Sequence, residues 1–202
     1  MQFYSYYKQA NTKEVESLSQ DSSFCLLSTV SPSGIPHLGI FNPLQIEGRF
    51  YLHMNRKDEQ VADLKERPKA LLSFLDFLSV IPSYWVDEHY AGAATAYYRY
   101  AEWECTVELF EEPPSMLPVL QMMMDRYQPE QKYDPLNPEL PIYKASFASI
   151  VVLKLTPVSS RTKWKLGQNR PMEIRNRVMT ELKLRARDND IRAAEEMEKT
   201  LL

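Results

Sequence analysis

The 202-residue sequence predicts a mostly-β fold: an antiparallel barrel with inserted helices and a helical C-terminal extension. Three observations predict it. About six segments carry the alternation or β-branched density of strands, and most follow one another through short turns, as in a meander. Strand and helix patterns do not alternate as a parallel sheet requires. Glycine is scarce, 5 against 14 prolines, and neither GxGxxG nor GxxxxGK[ST] occurs, so a Rossmann turn and a P-loop are both absent.

The elements follow in order. Residues 11–19 read as a short helix capped by Asn11 or Thr12, with Val15 and Leu18 on one face. Residues 23–30 (SFCLLSTV) form a buried strand, and the Ser-Pro-Ser-Gly that follows is turn chemistry. Residues 36–44 form a second strand. A turn at Glu47-Gly48 leads to a third strand, residues 49–53, with Phe50 and Leu52 on one side and Tyr51 and His53 on the other. Residues 58–67 switch to helical period and end before Pro68. Strand character returns over residues 71–77 and continues, interrupted, to 85. Residues 95–110 are a long strand with period-2 alternation. Ser115 caps a helix carrying Met116, Leu117, Leu120, Met123 and Tyr127. Residues 128–141 hold four prolines and read as a long loop. Residues 147–155 (FASIVVLKL) are a strong strand. Residues 171–185 form an amphipathic helix with Pro171 at its start and Ile174, Val178 and Leu182 on one face. A polar helix runs to the end.

The organisation expected is a barrel domain over residues 1–160 and a basic C-terminal segment over 161–202 that packs on it. The latter carries 11 Lys and Arg against 7 acids, although the whole chain is at −3. That net charge argues against a nucleic-acid-binding polycation. No apolar run reaches the roughly 18 residues of a membrane helix. The polar, aromatic first 11 residues are unlike a signal peptide. Two distant cysteines, Cys25 and Cys105, make no disulfide framework. A cytoplasmic protein is expected.

Three constellations carry candidate chemistry. Asn55-Arg56-Lys57 lies between a strand and a helix beginning near Asp58. Two adjacent cations beside free helix N–H groups suit a phosphate dianion; the alternative is a solvated surface pair. Trp164-Lys165-Leu166-Gly167-Gln168-Asn169-Arg170 joins an aromatic, cations and two amides that could read the edge of a flat heterocycle. It could equally be a linker whose Trp164 packs on the barrel. The aromatic set Tyr84, Trp85, Tyr90, Tyr97, Tyr98, Tyr100 and Trp103 suits a core or a subunit interface better than a ligand box. Metal sites look poor: His37, His53 and His89 have no HxxxH spacing and no CxxC occurs. Nucleophilic catalysis lacks GxSxG, and burial in a strand would raise the pKa of Cys25. Arg175, Arg177, Lys183, Arg185 and Arg187 give the C-terminal helix a basic side, read as a solvated face in preference to a nucleic-acid surface. No catalytic residue stands out.

Two stretches resemble a known family. Residues 50–75, FYLHMNRKDEQVADLKERPKALLSFL, resemble the strand–SRK–helix–NP–strand pattern of the pyridoxamine 5'-phosphate oxidase-like, FMN-binding split-barrel superfamily. Residues 163–178, KWKLGQNRPMEIRNRV, are similar to the KxKLSQN segment and following helix of the PaiB-type FMN-binding negative transcriptional regulators. Residues 81–85 (IPSYW) match that family's ISPSWY. Its THLP falls at Ile40-Phe41-Asn42-Pro43, without the histidine, and its serine in KLSQN is Gly167. The resemblance implies a split barrel, a homodimer with FMN at the subunit interface, and a flavin-dependent oxidoreductase or flavin-reductase-like role with an unidentified small-molecule redox partner. It also implies Arg56 and Lys57 for the FMN phosphate, and Lys165, Gln168 and Asn169 for the flavin or its pocket. The other readings are a PaiB-like transcriptional regulator, though no helix-turn-helix is visible, and a split-barrel module for heme or another flat cofactor.

Overall fold

A computed structural model describes residues 4–7 and 10–201, apart from the side chain of Thr12. The parts of the polar N-terminal stretch at residues 1–3, 8 and 9, and the alternative cap on Thr12, lie outside the described residues. Among the described residues there are seven strands and six α-helices, in the mostly-β class expected.

The chain opens with α1 (Thr12–Asp21), β1 (Cys25–Val30), β2 (Pro36–Phe41), β3 (Leu44–Ile46) and β4 (Arg49–Asn55). Asn11 caps α1 reciprocally: its Oδ1 accepts from the Glu14 N–H while its own N–H donates to Glu14 Oε2. Next come α2 (Glu59–Glu66), β5 (Lys69–Ile81), two short 3₁₀ turns, and β6 (Thr95–Phe110). The chain closes with α3 (Pro113–Tyr127), α4 (Pro141–Ser149), β7 (Ile150–Lys165), α5 (Met172–Arg185) and α6 (Asp190–Glu198).

Several expectations are corrected. The second strand is two strands, because Asn42-Pro43 interrupts it and proline has no N–H for a ladder. The meander therefore fails. β1 pairs with β2 and β5, β3 pairs with β4, and β4 pairs with β7, all antiparallel. The sheet order is β2-β1-β5-β6-β7-β4-β3. Its two end strands are joined through only Asn42 and Pro43, so the sheet curls back on itself, as a barrel must. Ser115 does not cap α3. Pro113 and Pro114 start that helix, where a missing N–H costs nothing, and the Ser115 hydroxyl donates to the Glu112 carbonyl. Residues 147–149 belong to α4, initiated by Pro141, so β7 begins at Ile150.

The chain forms two compact units. One comprises Ser19–Phe74 and Glu102–Ser160. It holds β1 to β4 and parts of β5, β6 and β7. Its core is a knot of rings and aliphatics. Phe50, Phe74 and Trp103 meet with centroids 5.1 to 5.6 Å apart, among Leu27, Leu52, Leu72, Leu153 and Leu155. Strand alternation explains this: β4 buries Phe50, Leu52 and Met54 and turns Tyr51 and His53 outward. A second cluster packs Met116, Val119, Leu120 and Met123 of α3 with Phe147 of α4, Leu44 and Val152.

The other unit comprises Met1–Leu18, Leu75–Ala101 and Arg161–Leu202. Trp164, Leu166, Val178, Leu182, Ala193 and Met197 are buried in it. Polar pairing ties its helices to strand residues. Arg185 pairs with Asp190 at 2.7 Å, and Ser79 Oγ donates to Asp190 at 2.6 Å. Asp76 receives Arg99 at 2.6 Å and Arg192 at 2.5 Å.

Candidate functional site

Arg56 and Lys57 leave β4 and enter α2. Asp58 caps that helix, its side chain accepting from the Gln60 N–H. Asn55 accepts the Lys57 backbone N–H at 2.9 Å, which shapes the turn. The Lys57 side chain is exposed and meets no carboxylate among the described residues. Arg56 is half-buried and partly committed: its guanidinium donates to the Glu111 carbonyl and lies 3.5 Å from the Glu111 carboxylate. Its Nε is buried without a partner. Lys65, 2.8 Å away, holds the Glu111 carboxyl below its usual range. The pair thus offers one exposed ammonium beside a guanidinium whose terminal nitrogens are turned to Glu111.

Lys165, Gln168 and Asn169 belong to the other unit. Gln168 is spent within its own loop: its Oε1 accepts from the Leu166 N–H at 2.8 Å and its Nε2 donates to the Trp164 carbonyl at 2.6 Å. The loop turns at Gly167, whose φ is 76°, and an added Cβ there would press into the Tyr97 hydroxyl. Lys165 donates to Thr95 Oγ1. Lys165 and Asn169 line a cavity of about 190 Å³ together with Tyr7, Thr95, Tyr97 and Arg170. Trp164 is no linker residue but a buried member of β7.

The barrel unit has a larger open cavity of about 810 Å³, between Ser28 and Val30 of β1, Lys69 and Leu71 of β5, and Cys105 and Thr106 of β6. Neither Arg56 nor Lys57 lines it. Its walls are mostly apolar, and its volume falls in the usual range for small-molecule pockets, about 300–1,000 Å³.

A polar knot escaped the sequence reading. Asp63, buried on α2, accepts the Thr29 hydroxyl and the His37 Nδ1–H, each at 2.7 Å. The His37 Nε2 lies 3.6 Å from the Glu59 carboxylate. Gln60 donates to the Leu27 carbonyl at 3.0 Å. These links pin α2 to β1 and β2. The period of α2 could have flagged Gln60 and Asp63, since both share the buried side with Val61 and Leu64.

The basic side of α5 is largely consumed. Arg177 donates to the carbonyls of Trp85 and Val86, Lys183 pairs with Glu198, and Arg185 pairs with Asp190. Arg175 is buried and donates to Met197 and Thr200. In the aromatic set, Trp85, Tyr97 and Trp103 are buried, whereas Tyr84 and Tyr90 are exposed. Among the described residues, no group of three His, Cys, Asp or Glu could hold a metal ion, and no helix is long and apolar enough to cross a membrane.

A seven-stranded antiparallel barrel with helices defines the split-barrel class. The family model described as pyridoxamine 5'-phosphate oxidase matches residues 11–161, and the chain belongs to that family. No match was found among curated proteins. Among solved structures, the chain is similar to the flavocytochrome Anf3 from Azotobacter vinelandii. Identity is 13%, coverage 81% of this chain and 72% of that one, and the TM-score 0.66. It is also similar to the FAD and heme binding protein from Mycobacterium smegmatis, at 15% identity, 78% and 73% coverage and a TM-score of 0.65. The heme storage protein HutZ from Vibrio cholerae follows at 12% identity, 75% and 94% coverage and a TM-score of 0.52. At these identities the likeness is one of fold.

Proposed function

We propose that this chain is a flavin-binding split-barrel protein that takes FMN and serves in flavin-dependent electron or hydride transfer. The observation that carries the reading is the Arg56-Lys57 pair at the capped start of α2, with a buried guanidinium Nε that has no partner. A terminal phosphate at this turn would gain the exposed Lys57 ammonium and lie beside the Arg56 guanidinium. Family membership and two structural neighbours named for flavin binding support it. When bound, the flavin supplies the redox chemistry; the chain's part is to hold and orient it. Arg56 and Lys57 anchor the phosphate. Lys165 and Asn169 line a small cavity of their own in the other unit, where Gln168 holds their loop.

The proposal includes a homodimer with the cofactor at its interface. The outward face of β1 and β2 supplies apolar material for it: Leu38 and Ile40 are 68% and 70% exposed, beside Val30 and Ile35. For regulation by direct DNA contact, the engagement of four α5 cations in intramolecular bonds leaves little free charge.

Fluorescence titration with FMN and riboflavin in parallel tests the reading. FMN is expected to bind more tightly than riboflavin, and Arg56→Ala with Lys57→Ala to remove most of that difference while the fold persists. Equal affinity of the double variant and the unchanged chain for FMN would overturn the phosphate assignment. A visible spectrum with added hemin separates out the heme reading.

A further inference from the structure

We propose that the small cavity lined by Lys165, Arg170, Asn169, Tyr97, Tyr7 and Thr95 is a binding site for a small oxyanion, the carboxylate or phosphoryl group of a second ligand. Its volume, about 190 Å³, lies below the usual range for sites that enclose drug-sized molecules, about 300–1,000 Å³. The space suits a small anionic group better than a tricyclic ring. Its lining is donor-rich: an ammonium, a guanidinium, an amide and hydroxyls. Neither Lys165 nor Arg170 comes within ion-pair distance of a carboxylate among the described residues. Asp87 feels the Arg170 charge but is fully exposed and makes no ion pair with it.

The electrostatics agree with the geometry. Burial depresses the Lys165 pKa, and the neighbouring Lys163 charge adds to the effect, as expected of an ammonium lacking a counter-ion. Arg175, buried with an unpartnered Nε, and Arg170 both reach the Tyr97 hydroxyl with their charge. Burial pushes the Tyr7 phenol up to about 12 and raises that of Tyr97, so both stay protonated donors at neutral pH. Asn169 and Arg170 immediately precede α5, whose N-cap residue Pro171 offers no side-chain acceptor to the first-turn N–H groups. Gly167 leaves room for the Tyr97 hydroxyl.

The site is distinct from the Arg56-Lys57 pair, which belongs to the other unit. Calorimetric titration of the full chain with inorganic phosphate and, separately, acetate at fixed ionic strength tests it. At least one anion is expected to bind saturably, and which one identifies the group. Lys165→Met and Arg170→Met should each weaken binding about tenfold, the usual scale for a lost charge-assisted hydrogen bond. Tyr97→Phe, which deletes a single hydroxyl, gives a smaller loss and covers the case in which a charge variant fails to fold. The same titrations on the Arg56→Ala, Lys57→Ala background, which lacks the proposed FMN phosphate anchor, isolate the binding that belongs to this cavity. No saturable binding of either anion, or equal affinity in the chain and all three pocket variants, would overturn the proposal. So would loss of all anion binding in the Arg56, Lys57 variant, which would place the anion at the proposed FMN phosphate anchor instead.

Discussion

Asp190 shows how a single residue sets a pH limit. Its hydrogen bonds from Arg185, and those from Ser79 and the Arg187 N–H, bring its pKa from the ordinary 3.8 to about 2. A depressed folded pKa means that the ionised form stabilises the fold. That contribution is complete above the unfolded value and fades as pH falls through about 2. At about 1.4 kcal/mol per unit it amounts to about 2 kcal/mol. Asp190→Asn is expected to cost about that near neutral pH and to flatten the acid limb, measured as urea midpoints across pH. The cysteines make the opposite case. Burial pushes both Cys25 and Cys105 up to about 12, so neither supplies thiolate at neutral pH. A disulfide reagent should leave both untouched in the native protein and label both once it is unfolded. Fast labelling of native Cys105 would show that the cavity it lines exposes the sulfur. The inert thiol of Cys25 was legible in the sequence, because its strand was. The Asp190 partnership was not: Ser79 lies 111 residues away along the chain.

Among the elements, those with strong periodicity came through. The sequence places β6 at residues 95–110, and the structure has it there. It places a helix at 58–67, and α2 spans Glu59–Glu66 between Asp58 and Arg67 as caps. The failures have different causes: prolines split the second strand and start α3, whereas α4 follows from packing. α4 is short and holds β-prone residues, so packing of Phe147 with the α3 cluster outweighs local preference. The loop at Gly167 gives a test at this scale. The resembling family has serine there, but here φ is 76° and the Tyr97 hydroxyl occupies the space. Gly167→Ser is expected to destabilise by about 1–3 kcal/mol and to disturb the cavity beside it. Gly34→Ala, at φ 88° with nothing within 4 Å, isolates the backbone share and should cost less. Equal thermal shifts for the two variants would mean that the Tyr97 contact carries no weight.

For the whole molecule, the exposed apolar face of β1 and β2 bears on assembly. Light scattering should give a dimer mass, and Leu38→Glu with Ile40→Glu should give a monomer with its secondary structure kept. A monomer mass for the unchanged chain would remove the homodimer from the proposed function. The sequence by itself determined the mostly-β class, the inert thiol of Cys25, the capped cation pair at Arg56-Lys57 and, through its resemblance, the superfamily. Each depends on nearest neighbours, short periods or ordered motifs along the chain. The tertiary structure alone decided that β2 and β3, parted at Asn42-Pro43, lie at opposite ends of the strand order. It also decided that Gln168 bonds its own loop, that Arg56 is shared with Glu111, and that Asp63 joins Thr29 to His37. Those outcomes turn on which partner a polar group finds when the chain closes over long separations. Local pattern carries burial and period, but not the identity of a distant partner.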